Sequence, residues 1–116
     1  MSGVRIYAVI PPPEPPVYHA AVLADAAPQT MYSSTVVVSF DVENTVDTSR
    51  FGLVVGSKEF GLDAVRGGEN ASLKVVGVKV DTGLIGTFPV SVVTHGVDGK
   101  TKASNARTVT LKARPL

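Results

Sequence analysis

Two histidines, a scatter of serines and carboxylates, and one Gly-Lys-Thr tripeptide are all that this chain brings to chemistry. His19 and His95 have no second imidazole or thiol at ligand spacing, so neither reads as half of a zinc site. His95 shares strand parity with Ser91, which sets it on an outward face. Cysteine is absent, which removes disulfides, thiolate metal sites and thiol nucleophiles together. None of the serines sits in a Gly-x-Ser-x-Gly elbow. Gly96-Val97-Asp98-Gly99-Lys100-Thr101 ends like a phosphate-binding loop, but Thr94 stands where the first glycine belongs. Lys102-Ala103-Ser104-Asn105 then leads into a strand, not into a helix whose amide end could hold phosphate. Asp98-Gly99 instead predicts a tight hairpin, which needs the positive φ values these residues tolerate. Asp41, Glu43, Asn44 and Asp47 cluster near one strand end and could offer oxygens to Ca²⁺, which takes about six to eight of them. The same charges also serve a solvated edge that discourages strand addition. The expectation is a protein that is not an enzyme and uses no cofactor and no metal.

The elements that carry these residues are short and alternate in polarity. Val36, Val38, Phe40 and Val42 point one way from the run Thr35 to Asn44, and Val37, Ser39, Asp41 and Glu43 the other, so one face is buried. Phe51, Leu53 and Val55 repeat the pattern, Gly56-Ser57 permits a turn, and Phe60, Leu62 and Ala64 make a shorter strand ending at Arg66-Gly67-Gly68-Glu69-Asn70. In Ser72 to Val80 the parity of Leu73 and Val75 differs from that of Val76, Val78 and Val80, and Gly77 beside the switch predicts a β-bulge. Phe88, Val90 and Val92 form the next inner face, and Val109 and Leu111 close the core. This spacing is that of a sandwich.

The first third reads differently. Val4, Ile6, Ala8 and Ile10 alternate as a strand that Pro11 ends, and Pro11-Pro12-Pro13-Glu14-Pro15-Pro16 cannot enter the interior of any sheet. Pro15-Pro16-Val17-Tyr18 has the Pro-Pro-x-Tyr form that WW domains grip, although prolines also stiffen an arm and lower the entropy lost when it docks. Val17 to Ala27 contains an alanine-rich stretch of helical composition, too short before Pro28 to hold a helix unaided, and is assigned to the arm.

At 116 residues the chain suits one domain, and its 44% hydrophobic content with 18% charged residues argues against disorder. No apolar run approaches the roughly 20 residues of a membrane span, and the start lacks the n- and h-regions of a secretory signal. The net charge of +1 conceals a division, with −4 over residues 1–70 and +5 over residues 71–116. Lys100, Lys102, Arg107, Lys112 and Arg114 have no interleaved aromatic residues, so no nucleic-acid partner is expected.

Three stretches carry a resemblance: Val36-Val37-Val38-Ser39-Phe40-Asp41-Val42-Glu43-Asn44-Thr45, Gly68-Glu69-Asn70-Ala71-Ser72-Leu73-Lys74-Val75, and Gly86-Thr87-Phe88-Pro89-Val90-Ser91-Val92-Val93. Their order resembles prokaryotic immunoglobulin-like modules of the CARDB and related bacterial type. The resemblance implies an immunoglobulin-like antiparallel β-sandwich of about seven strands and a non-catalytic spacer, adhesive or decorating role; residues 11–34 depart from the family pattern.

Together these readings predict an all-β protein with an extended Pro-rich docking arm at residues 1–34 and a sandwich domain at 35–116. The expected function is that of a structural protein of a large assembly, a virus capsid decoration or cement protein at the virion surface. The alternatives are an extracellular or cell-surface filament subunit assembling by donor-strand exchange, or a displayed carbohydrate- or ligand-binding module. The partners would be a shell protein, copies of the chain itself, or both. The arm residues expected to touch them are Val4, Ile6, Tyr7, Ile10, Pro15, Pro16, Tyr18, Val22, Leu23, Met31 and Tyr32.

Overall fold

The computed structural model describes residue 3, residues 14–24 and residues 30–115. Among them nine strands form two sheets and no helix occurs. The smaller sheet has the order β1 (Val22–Leu23), β3 (Val36–Val42) and β6 (Leu73–Val80). The larger has β2 (Thr30–Tyr32), β9 (Arg107–Lys112), β7 (Gly86–Gly96), β4 (Thr48–Val55) and β5 (Lys58–Gly61), with β8 (Thr101–Ala103) also paired to β7. No helix among the described residues is long and apolar enough to cross a membrane.

The alternating valines do what their period requires. Val36, Val38, Phe40 and Val42 of β3 are buried against Phe51, Leu53 and Val55 of β4, Val90 and Val92 of β7, and Val109 and Leu111 of β9. Phe40 and Phe51 meet across the two sheets with ring centroids 5.7 Å apart, tilted by 51°. Val38 pairs with Val78 and Phe40 with Val75, so β6 carries one extra residue there. Gly77 has φ 65° at that point and donates its N–H to Ser39 Oγ at 2.9 Å, the bulge that the parity switch predicts.

The turn after β7 is a hairpin. Gly99 N–H donates to the Gly96 carbonyl and Gly96 N–H to that of Lys100, and Gly99 alone takes a positive φ of 79°. This is a turn closed by a glycine bulge, not a two-residue turn in which Asp98 is also left-handed. Ser104 to Ala106 interrupt what would be one long strand, giving β8 and β9.

Residues assigned by sequence to the arm enter the sandwich. Leu23 pairs with Phe40 antiparallel, while Met31 pairs with Leu111 parallel, so the chain crosses from one sheet to the other between β1 and β2. Leu23 N–H donates to Asn105 Oδ1 at 2.9 Å, and Arg107 Nη1 donates to the Ala24 carbonyl at 2.8 Å. The interruption in the last strand thus holds the first. Tyr18, Ala21, Leu23 and Met31 are buried. The packed unit accordingly begins well before the expected boundary at residue 35. Two or three residues of strand show no periodicity of their own and exist because long neighbours supply their hydrogen bonds.

Candidate interface at the tip of the sandwich

One end of the sandwich gathers the loop after β3, the start of β4 and the β7–β8 hairpin, and residues 14–18 reach the body there. Asp47, in the loop, accepts the Val17 N–H at 2.7 Å through Oδ2, and its carbonyl accepts the Val97 N–H at 2.9 Å. The Tyr18 ring lies directly on Gly96, where a Cβ would stand inside van der Waals contact of the ring. Its hydroxyl donates to Asp98 Oδ1 at 3.0 Å. Lys102 Nζ sits 4.7 Å from the Tyr18 ring centroid and donates to the Tyr18 carbonyl at 2.9 Å. Asp98 meanwhile accepts the Lys100 N–H at 3.0 Å, so one carboxylate both caps its own turn and receives the phenol.

These contacts set the ionisation of the pair. Burial pushes the Tyr18 phenol above its ordinary value, and the adjoining Asp98 carboxylate pushes it the same way, by accepting the phenol proton and by its charge. The Lys100 amide holds the Asp98 carboxyl below its ordinary value against an opposing effect of burial, with help from the Tyr18 hydroxyl and the Lys100 charge. The clip therefore favours a neutral phenol hydrogen-bonded to an ionised carboxylate. That arrangement fastens the segment that leads into β1. Val17, Val46 and Val97 surround Asp47 with 47%, 36% and 61% of their surfaces exposed, an apolar rim where residues 14–18 meet the body.

Comparison with family models, curated proteins and solved structures finds no match.

The sequence-predicted contact residues divide sharply. Pro15 is exposed, Pro16 half-buried and Val22 62% exposed, so these remain open to a partner. Tyr18, Leu23 and Met31 are not; each is turned into the body, where burial within one chain carries none of the entropy cost of association. Met31 Sδ also accepts the Val37 N–H at 3.3 Å. Tyr32 is half-buried under Lys112 Nζ and the Arg114 guanidinium, each 5.3 Å from its ring. Val4, Ile6, Tyr7 and Ile10 lie outside the described residues. Because Tyr18 is buried, the Pro-Pro-x-Tyr segment cannot be read as a free ligand while the clip is closed.

The other candidate residues are dispersed. Asn44 takes φ 41° and accepts the Val46 N–H in its own turn, Asp47 is engaged with Val17, and Asp41 faces outward on β3. His95 faces outward, as its parity predicts, with Nε2 3.0 Å from Glu59 Oε2. Glu59 reaches it, and Arg50 at 3.3 Å, by crossing Gly52, where any side chain would block the path. A cleft of about 320 Å³ beside this cluster has Ser49, Asp63 and Arg66 on its wall, and the Ser49 hydroxyl donates to the His95 carbonyl at 3.0 Å. The parts of the clip that sequence reading missed are Gly96, Asp47 and Lys102. Asp98 was legible only as a turn residue.

Proposed function

We propose that this chain is a non-enzymatic structural protein of a large assembly, a decoration or cement protein on a virus capsid, which attaches through the residues that precede the Tyr18 clip. The observation that carries the reading is the clip itself. It spends a buried tyrosine, two carboxylates and a lysine on fixing where the N-terminal segment departs, an investment that serves the transmission of force or position. The first strand is split between the sheets, antiparallel to β3 in one and parallel to β9 in the other, which supports an immunoglobulin-like arrangement for the body. Beyond the clip the sequence has a proline run, which at the extended polyproline rise of about 3.1 Å per residue spans roughly 19 Å. The alternating Val4 to Ile10 strand then lies in a groove between neighbouring shell subunits and adds backbone hydrogen bonds there. The rim of Val17, Val46 and Val97 seats against the shell at the base of the arm.

Deleting residues 1–13 tests this and leaves every described core residue in place. Co-sedimentation of the shortened protein with its shell should be lost while its thermal unfolding midpoint stays that of the full chain. Retention of full affinity would reject attachment through this segment, and polymers growing from the pure full-length protein would point to a filament subunit instead.

A further inference from the structure

The edge of the smaller sheet at β6 is long, apolar on its inner side and unpaired among the described residues. Leu73, Val75, Val78 and Val80 pack on the core from the inner face but stay only half-buried, and Val76 at the bulge is 75% exposed. Lys74 and Lys79 stand on the outer face of the same strand. Asp41 lies opposite Lys74 on β3 and Val37 opposite Lys79, and among the described residues neither lysine has a carboxylate within ion-pair distance.

Charge and register decide between the occupants this edge could take. A second copy pairing β6 with β6 must match the inner faces, so Leu73 meets Val80 and Val75 meets Val78. That register sets Lys74 opposite Lys79 twice, and like charges directly opposed across a ladder repel. The chain's own alternating segment, Val4 to Ile10, carries Arg5 and no acid, so it too would set positive against positive. A strand with carboxylates on its outer face has the complementary charge. Its spacing follows from the bulge: Asp41 and Val37, the β3 residues facing the two lysines, are four positions apart, so a regular strand on the other edge also needs its acids four apart.

We infer that β6 is a strand-addition site for an extended segment of a protein partner whose pattern is apolar, acid, apolar, any, apolar, acid, apolar. Backbone hydrogen bonds along the open edge give the affinity, Leu73, Val75, Val78 and Val80 take the apolar side chains, and Lys74 and Lys79 select the acids. The site lies apart from the Tyr18 clip and does not depend on the capsid reading.

Fluorescence anisotropy with the full-length protein tests it, using the labelled heptapeptide Val-Glu-Val-Thr-Val-Glu-Val, its counterpart with both Glu replaced by Lys, and a peptide of residues 4–10. The Glu peptide should bind on the order of ten-fold more tightly than the Lys peptide, and the gap should narrow in salt. In the double variant Lys74→Glu/Lys79→Glu the preference should invert. Equal affinity for the two peptides, binding of neither, or an unchanged preference in the double variant overturns the inference. Tighter binding of the residue 4–10 peptide also overturns it, making the chain's own strand the occupant. Shell co-sedimentation of the residue 1–13 deletion, with β6 intact, reads the capsid proposal separately.

Discussion

Tyr18 joins ionisation to the hold on the segment that leads into β1. Its phenol, ordinarily titrating at 10.0, is raised, so its contribution to stability is complete below that pH and is lost as the pH climbs through the higher folded value. The Asp98 carboxyl, ordinarily at 3.8, is lowered, so its contribution is complete above that pH and disappears as the pH falls through the lower folded value. The clip is thus strongest across the neutral range and weakens at both extremes. Absorbance titration near the phenolate band, with the Tyr18→Phe protein subtracted, should show one phenol ionising later than a free tyrosine. In Asp98→Asn that phenol should titrate closer to its ordinary value; an unchanged curve would mean that the Asp98 contact does not govern it. Gly96 matters for a different reason, since space for the ring and not a positive φ is what requires glycine there.

Among the elements, β1 and β2 are the least autonomous and the most informative. Each is too short to persist alone, yet Leu23 is 4% exposed and Met31 7% exposed because β3 and β9 lend them complete ladders. Replacing Leu23 by Ala should cost about 2–5 kcal/mol by the cavity it leaves. Urea unfolding measures this directly, and a loss below about 1 kcal/mol would mean that β1 is peripheral, as a docking arm requires. Removing residues 1–30 would therefore confound attachment with folding, which is why the shorter deletion is the cleaner experiment. β6 is the counterexample, since its bulge and its valines were legible from parity and Gly77, whereas its position at an edge was not. Strand order depends on which neighbours are left over once the others have paired, and no local pattern records that.

Across the molecule, contacts among the described residues bring the acidic first part of the chain and the basic second part together. Acidic Asp47 lies beside the Gly96–Gly99 hairpin, and basic Arg107 binds the Ala24 carbonyl, so the antiparallel ladders interleave the halves. Lys74 and Lys79 stand on the open edge of the smaller sheet. They keep copies apart as well as selecting a partner. The double variant Lys74→Thr/Lys79→Thr should shift the purified protein from monomer toward dimer with rising concentration, measured by light scattering; a monomer indistinguishable from the parent would show that these charges do not hold β6 edges apart.

β3, β4, β6, β7 and β9, the bulge at Gly77, the hairpin at Gly99 and the outward placement of His95 were legible in the sequence, whereas the strand expected through Phe60, Leu62 and Ala64 is β5, which ends at Gly61 with Ala64 in a turn, and β8 was not foreseen as a separate strand. Each legible feature is a statement about period or backbone conformation, and both are written locally, residue by residue. Closure of the sheets is what turns Tyr18, Leu23 and Met31 into the body, gathers Asp47, Gly96, Asp98 and Lys102 into one clip and leaves β6 open. Those facts are contacts between residues up to 84 positions apart, as between Tyr18 and Lys102. Their energy is realised only when the sheets have closed, so no window of sequence carries their signal.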